Sequence, residues 1–233
     1  MPGKIAIRFP SFRTGLLALV LLPFLSAGCG FQQARFSQTT STTAPHVAGS
    51  GVKVTTQNGS ISVRSAADST QVSIQATLRM VTAERLGQAS IVANRTPAGV
   101  LEISAQPPPD GWRGSEGCSF DISLPGAAGV ELHTSNGAIK LAGMSGEAKL
   151  DTSNGSISIS RHDGGVDADT SNGRVEATQV SGPVRVRTSN GSVTLSLADA
   201  APGPVQVRTS NGAVTLELSH AFRGELSVDT SNG

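Results

Sequence analysis

Short runs of alternating apolar and polar residues fill the second half of the chain. In the segment GVELHTSNGAIKLAGMSG, Val130, Leu132 and Thr134 lie on one face of an extended strand, and Ile139 and Leu141 continue that face after an Asn-Gly pair. A period of two with many β-branched residues is typical of a half-buried strand. The pattern therefore predicts pairs of short strands that are joined at Asn-Gly corners and have one face in a core.

The tetrapeptide Thr-Ser-Asn-Gly recurs at a fixed interval. Its six copies begin at Thr134, Thr152, Thr170, Thr188, Thr209 and Thr230, in steps of 18, 18, 18, 21 and 21 residues. A short fixed period indicates units that cannot bury their own apolar faces and therefore stack on their neighbours. A related unit around Asn58, with Gln57 in place of Ser, occurs once much earlier in the chain.

The Asn-Gly pairs are expected to form the corners, because both residues tolerate a positive φ. The predicted corner residues are Asn58 and Gly59, Asn136 and Gly137, Asn154 and Gly155, Asn172 and Gly173, Asn190 and Gly191, Asn211 and Gly212, and Asn232 and Gly233.

The alternation of residues that face the core fits two arrangements equally well, an antiparallel hairpin meander and a parallel coil. The outward positions distinguish them. Three residues before each Thr, the chain reads Glu131, Lys149, Asp167, Arg185, Gln206 and Ser227, so charge signs alternate from unit to unit, as facing side chains in a parallel stack prefer. The identical Thr and Asn residues also suit side-chain ladders along a stack, with each Asn buried and bonded to its copies. We expect an all-β, parallel β-solenoid with two main strands per coil, right-handed by the crossover rule.

The segment between the early unit and the repeats has a different pattern. It predicts strands around Ile74, Ile103 and Ile122, a short helix over TAERLGQ with Thr82 as its N-cap, and a loop in QPPPDGWRGSEG. Because repeat arrays need caps, we expect residues 51–129 to combine an early coil with a capping segment that includes the short helix. The tandem repeats then span 130–233, and the stop directly after a corner predicts a truncated C-terminus.

The N-terminus carries an export sequence. Basic residues precede a 10-residue apolar run, Leu16–Leu25, which is too short for a membrane span of about 20 residues and fits a secretory leader. The run leads into Ser26-Ala27-Gly28-Cys29, which resembles a lipoprotein lipobox. We expect residues 1–28 to be a signal peptide, Cys29 to be lipidated, and residues 29–50 to form a flexible tether.

Charge and cysteine content fit an exported protein. The chain has 18 Lys and Arg against 17 Asp and Glu, and three of the basic residues precede Cys29, so the mature chain is formally −2. It has no basic stripe of the kind that nucleic-acid binders show, and we expect no nucleic-acid partner. With Cys29 acylated, Cys118 has no intrachain partner and is expected to be a buried thiol.

These features together resemble one family. An export leader, an early Asn-Gly unit, an AERL helix, a strand ending in Leu-Pro-Gly and tandem Thr-Ser-Asn-Gly coils are similar to the putative-adhesin β-strand-repeat family of bacterial cell-envelope proteins, a domain of unknown function. The resemblance covers residues 51–233. It implies a right-handed β-solenoid in the envelope, and it brings no catalytic motif.

Candidate chemistry is sparse. Asp151 and Asp169 would lie on neighbouring coils, where two carboxylates could share a proton or hold a cation; the alternative is a solvated column of mixed charge. Trp112 could stack on a sugar, or it could cover the end of the core. The sequence contains no HExxH, Walker or nucleophile-elbow motif, and its four histidines have no ligand spacing. We therefore expect no metal, no cofactor and no enzymatic activity.

The sequence thus predicts a non-enzymatic, lipid-anchored envelope β-solenoid that acts as an adhesin-like surface or scaffold module, on the outer membrane or cell surface. Its expected partners are the membrane, through the N-terminal lipid, and envelope proteins or glycans. The alternatives are a polysaccharide-binding or polysaccharide-processing β-helix and an envelope-stress sensing or regulatory protein of the periplasm.

Overall fold

A computed structural model describes residues 34–47, 49–199 and 201–232. The predicted leader, Cys29 and Gly233 lie outside the described residues. Two nine-stranded sheets face each other across a single apolar core. In the described part of the chain the only α-helix is short, and no helix has the length and apolar character needed to cross a membrane.

The first sheet has the strand order β1-β4-β7-β3-β9-β11-β13-β15-β17. Its strands are β1 (Phe36–Pro45), β3 (Ile61–Ser65), β4 (Gln71–Met80), β7 (Gly117–Leu124), β9 (Ile139–Ala142), β11 (Ile157–His162), β13 (Val175–Val180), β15 (Val193–Leu197) and β17 (Val214–Glu217).

The second sheet has the strand order β18-β16-β14-β12-β10-β8-β2-β6-β5. Its strands are β2 (Val52–Asn58), β5 (Ser90–Arg95), β6 (Leu101–Gln106), β8 (Gly129–Asn136), β10 (Glu147–Thr152), β12 (Val166–Thr170), β14 (Val184–Thr188), β16 (Val205–Asn211) and β18 (Leu226–Asn232).

The repeats form a parallel β-solenoid with two strands per coil. Each of the first five Thr-Ser-Asn-Gly corners joins a strand of the second sheet to a strand of the first, and equivalent residues of successive coils are register partners, such as Thr134, Thr152 and Thr170. The predicted parallel stack is confirmed, and the antiparallel meander is excluded for the repeats. The alternating apolar side chains point into the core, where Leu132, Ile139 and most of their equivalents are fully buried.

The early coil stacks directly on the repeats, although the 63 residues 66–128 lie between them in sequence. β2 pairs in parallel with β8, and β3 pairs in parallel with β9. The intervening chain folds back on the other side, where β6 pairs with β2 and β7 pairs with β3. The coil made by β6 and β7 therefore precedes the early coil in space although it follows it in sequence.

Antiparallel strands close the N-terminal end of the stack. β4 pairs with β7 and then with β1, and β5 pairs with β6. The predicted helix is confirmed as α1 (Ala83–Gln88), capped by the Thr82 hydroxyl, which accepts a bond from the Arg85 amide. The flexible tether was a wrong prediction for residues 36–45, because they form β1 with only Ala44 fully buried. Its Ser and Thr residues lack an apolar period because β1 lies at the exposed edge of the sheet.

Candidate functional site

The repeated Thr hydroxyl joins successive coils. In the first five copies this side chain points inward, is at most 5% exposed, and donates a hydrogen bond to a carbonyl at the corner of the preceding coil. The pairs are Thr134 to Gly59 (2.9 Å), Thr152 to Gly137 (3.0 Å), Thr170 to Gly155 (3.0 Å), Thr188 to Gly173 (3.2 Å) and Thr209 to Gly191 (3.2 Å). In the early coil, Thr56 makes the same bond to the carbonyl of Cys118.

The corner glycines are required by close packing. A Cβ atom on Gly155 would lie less than 3.0 Å from the carbonyl oxygen of Gly137, and one on Gly173 would clash in the same way with Gly155. The predicted reason, positive φ, was wrong for the glycines at 137, 155, 173, 191 and 212 and for every described corner Asn, because none of them has a positive φ. The stack brings corner backbones so close that only a residue without a side chain fits.

The corner asparagines form a continuous ladder outside the core. Each side-chain amide donates to the side-chain oxygen of the preceding coil's Asn, at 2.7 to 3.0 Å, through Asn58, Asn136, Asn154, Asn172, Asn190, Asn211 and Asn232. At the N-terminal end the amide of Asn58 donates to the carbonyl of Glu116, at 2.8 Å. The expected ladder exists, but the expectation that its asparagines are buried was wrong, since six of the seven are exposed.

A second glycine corner lies at the other edge of the sheets, and the sequence analysis missed it. Cβ atoms on Gly146, Gly164 and Gly182 would each clash with a carbonyl of the preceding coil, those of Ala128, Gly146 and Gly164 in turn. These glycines follow one another at 18 residues, the same step as the Thr-Ser-Asn-Gly copies. That spacing could have predicted the second corner, but the Thr-Ser-Asn-Gly repeat is the more conspicuous pattern.

Every strongly repeated residue is thus used in stacking. The hydroxyl of Thr and the bare Cα of Gly meet the same carbonyl, the Asn amide bonds its copy, and the Asn backbone amides donate to Ser carbonyls of the preceding coil, as Asn154 does to Ser135 at 3.0 Å. The repeat is a structural element, so a ligand site has to be sought on the outer sheet faces or at the capped end.

The candidate carboxylates Asp151 and Asp169 are register partners on β10 and β12. Each carboxylate pairs with a side chain of the coil on the side away from the other carboxylate. The Nδ1 atom of His133 lies 2.9 Å from Oδ1 of Asp151, and Nη1 of Arg187 lies 3.2 Å from Oδ2 of Asp169. This arrangement is a column of exposed mixed charge rather than a carboxylate dyad. Within the described part of the chain, no group of three His, Cys, Asp or Glu side chains could hold a metal ion.

Basic side chains collect further along the same face, on β14 and β16. Arg187 and Arg208 are register partners, and with Arg185, Gln206 and Ser227 they line a shallow cleft of about 160 Å³. We call this group the arginine cleft. Its one acidic lining residue, Asp229, lies 3.0 Å from Nη2 of Arg208.

The outer face of the first sheet is more neutral. Lys140, Ser158, Glu176, Thr194 and Thr215 form one column across β9 to β17. An ion pair between Arg64 and Asp121, at 2.9 Å, lies nearer the capped end, with both side chains exposed. This face is a polar surface without large exposed apolar residues, because its outward positions are mostly Ser, Thr and single charges.

A buried ionic network holds the capping loop to the helix. The guanidinium of Arg85 donates to both carboxylate oxygens of Glu116, at 2.7 and 2.6 Å, and also to Asp110 and the carbonyl of Gly111. The carboxylate of Glu116 is fully buried and accepts further bonds from the backbone amides of Val81 and Arg113. The Arg85 hydrogen bonds keep the pKa of Glu116 below its usual 4.5 against the opposing effect of burial.

Trp112 and Cys118 belong to the capped end. Trp112 is partly buried and packs against the core. Cys118 is a free and fully buried thiol, and burial raises its pKa to about 12. Both side chains therefore contribute to the packed end of the solenoid.

The histidines are dispersed, as their spacing in sequence indicates. His162 is the buried one. Its Nε2 atom contacts the carbonyls of Gly146 (2.9 Å) and Gly165 (3.3 Å), and its Nδ1 atom has no hydrogen-bond partner among the described residues. It follows a residue with positive φ, Arg161, and is in register with Val180 of the next coil. His162 thus occupies a position that the neighbouring coil fills with an apolar side chain.

Three bacterial proteins of solved structure are among those to which this chain is similar. A "putative adhesin" from Bacteroides fragilis is 8% identical over 83% of this chain and 97% of its own, with a TM-score of 0.44. A "putative cell adhesion protein" from Clostridium sporogenes is 11% identical over 84% of this chain and all of its own, with a TM-score of 0.36. A "putative lipid binding protein" from Parabacteroides distasonis is 8% identical over 82% of this chain and 96% of its own, with a TM-score of 0.26.

No curated protein matches the chain in sequence. The model of the Toastrack family, DUF4097, matches residues 23–231, which include the early coil, the capping segment and all the stacked repeats. This chain therefore belongs to the Toastrack DUF4097 family.

Proposed function

We propose that the protein is a lipid-anchored, non-enzymatic module of the bacterial cell envelope that acts through contact, as an adhesin-like surface module or a scaffold. One observation carries the proposal. The repeated Thr, Asn and Gly residues are occupied in stacking coil on coil, which leaves two long polar sheet faces as the surfaces that can meet a partner. Solenoids use such extended faces for binding.

The sequence before the fold supports the anchor. The apolar run and Ser26-Ala27-Gly28-Cys29 have the order of a lipoprotein leader, and acylated cysteines with several chains give stable membrane attachment. Only residues 30–35 separate Cys29 from β1, and a chain of this length spans at most about 25 Å. The N-terminal end of the stack would therefore face the membrane, and the repeats would extend away from it.

Two experiments test the location. Cys29→Ala is expected to release the protein from the membrane fraction of producing cells, and membrane association of that variant would refute the anchor. Protease treatment of intact cells is expected to cut the protein, with lysed cells as the control for protease access. Cleavage only after lysis would place the protein inside the envelope and refute the adhesin-like surface role.

The non-enzymatic part of the proposal has its own test. Asp151 and Asp169 are the candidate carboxylates, and their pairing with His133 and Arg187 supports a solvated charge column. The double variant Asp151→Asn with Asp169→Asn is expected to behave as the wild type in every turnover assay. Turnover of a polysaccharide by the wild type that disappears in this variant would refute the proposal.

A further inference from the structure

We propose that the arginine cleft binds the carboxylate groups of an anionic polysaccharide. This inference rests on the proposed contact function and names the ligand class for one face of the solenoid. It begins from a register relationship. Arg187 on β14 and Arg208 on β16 are directly opposite each other in neighbouring parallel strands, where like charges destabilise a sheet. An anion between them would convert this repulsion into attraction.

The arginines are only partly neutralised by the protein. Arg187 contacts Asp169 at 3.2 Å and Asp167 at 3.7 Å, and Arg208 contacts Asp229 at 3.0 Å. Arg185 is exposed, and among the described residues no carboxylate lies within ion-pair distance of it. The lining of the cleft thus holds three guanidinium groups and the carboxylate of Asp229, while Asp167 and Asp169 on β12 reach Arg187 from beside the cleft. Arg185 is thus the guanidinium group of the cleft that the described residues leave without an ion pair, and an incoming carboxylate can bind it directly.

The chemistry of the lining favours a carboxylate-bearing sugar. Guanidinium groups bind carboxylates through paired, parallel N–H bonds. Gln206 and Ser227 lie beside the arginines in the same cleft, and their amide and hydroxyl groups can exchange hydrogen bonds with sugar hydroxyls. The cleft is shallow and lies on an extended sheet face, so a linear polymer can pass through it without entering a closed pocket.

The position of the cleft separates it from the protein's own membrane. In the second sheet, β14 lies six strands from β5 at the capped end, which corresponds to about 29 Å at the usual strand spacing. Because the lipid anchor would join the capped end, the cleft would lie well beyond the headgroups of that membrane. A soluble or cell-wall polymer is therefore the ligand that this placement favours over a phospholipid.

Binding of the purified protein to polygalacturonate, a linear polymer of carboxylate-bearing sugars, tests the proposal. The wild type is expected to bind polygalacturonate and not neutral dextran, with affinity that falls as salt rises because the contact is ionic. The double variant Arg185→Gln with Arg208→Gln is expected to bind at least about tenfold more weakly. The matched control, Arg64→Gln with Lys140→Gln, removes the same charge from the opposite sheet and is expected to bind as the wild type does.

Three results would overturn the proposal: no binding of polygalacturonate by the wild type at low salt, equal losses in the cleft and control variants, or preference for anionic phosphatidylglycerol vesicles over the polymer. Circular dichroism of each variant shows that its fold is intact. Release of reducing ends during the assay would show cleavage of the polymer, which would refute the non-enzymatic role but not binding by the arginine cleft. Failure of the proposed function can therefore be distinguished from failure of the proposed binding site.

Discussion

The hydroxyl of Thr152 donates a 3.0 Å hydrogen bond to the carbonyl oxygen of Gly137, fifteen residues earlier in the chain and one coil away. The same oxygen leaves no room for a Cβ atom on Gly155. This one carbonyl therefore accounts for two of the four residues of the repeat, the Thr and the Gly. It needs a hydroxyl donor because it is turned toward a buried side chain, and it needs glycine beside it because the corners are in close contact.

Gly155→Ala is expected to destabilise the protein by about 1–3 kcal/mol, the usual cost of overpacking a close contact. The added methyl can be accommodated only if the corners of two coils move apart, because its nearest neighbours are backbone atoms. The measurement is the free energy of unfolding in denaturant. Gly126→Ala is the control, since a Cβ on Gly126 meets nothing within 4 Å. Equal stability of the two variants would contradict the account of the corner.

Thr152→Val keeps the shape of the side chain and removes the donor. It is expected to cost about 1–3 kcal/mol, because the Gly137 carbonyl loses its hydroxyl partner in a buried position. Thr194→Val on the outer face of β15 is the matched control and is expected to change stability little. If both substitutions have the same effect on the denaturation midpoint, the Thr of the repeat is not a coil-to-coil contact.

The buried Glu116 carboxylate predicts acid sensitivity. Its folded-state pKa is lowered from 4.5, mainly by the hydrogen bonds from Arg85, so ionised Glu116 stabilises the folded protein at all pH values above about 4.5. That contribution is lost as the pH falls below 4.5 and through the lower folded-state value. Unfolding measured from pH 7 to pH 3 should therefore show a steeper loss of stability for the wild type than for Glu116→Gln.

The Glu116→Gln variant should also be less stable than the wild type at pH 7, because Arg85 then loses its buried carboxylate. The exposed Glu102→Gln serves as the control and should follow the wild-type pH curve. Parallel curves for Glu116→Gln and the wild type would show that the network does not stabilise the capped end.

Cys118 should be chemically inert in the folded protein. Its pKa is raised to about 12 by burial, so at pH 8 almost none of the thiol is the reactive thiolate. In a Cys29→Ala background, where Cys118 is the remaining thiol, iodoacetamide should label the protein in denaturant and not in buffer. Labelling of the native protein at the rate of a free cysteine would contradict the packing of β7 at the capped end.

Much of the fold could be predicted from sequence because the repeat is local and regular. Alternation at Val130 and Leu132 shows which side chains face inward, and the charge column through Lys149 and Asp167 distinguishes parallel from antiparallel stacking. Thr82 was recognisable as a helix cap from its position before AERL. These features depend on side-chain chemistry at known spacing, which a sequence displays directly.

What the sequence did not reveal depends on distances between segments far apart in the chain. The role of Gly155 follows from the closeness of another corner, and the backbone conformation expected of Asn-Gly pairs in isolation gave the wrong reason. The bond between Arg85 and Glu116 joins a helix to a loop end 31 residues later. The arginine cleft is a similar case, since its members come from three strands and only their register makes them neighbours.

The strongest test of the account is whether the early coil lies directly on the first repeat. Thr55 and His133 are register partners on β2 and β8, and parallel neighbours at about 4.8 Å are within the Cα range of a disulfide. Cysteines at these two positions, in a Cys29→Ala background, are expected to cross-link readily under mild oxidation. Cysteines at Thr55 and Asp151, two strands apart, are expected to stay reduced. Cross-linking of the second pair, or none in the first, would contradict the stacked order.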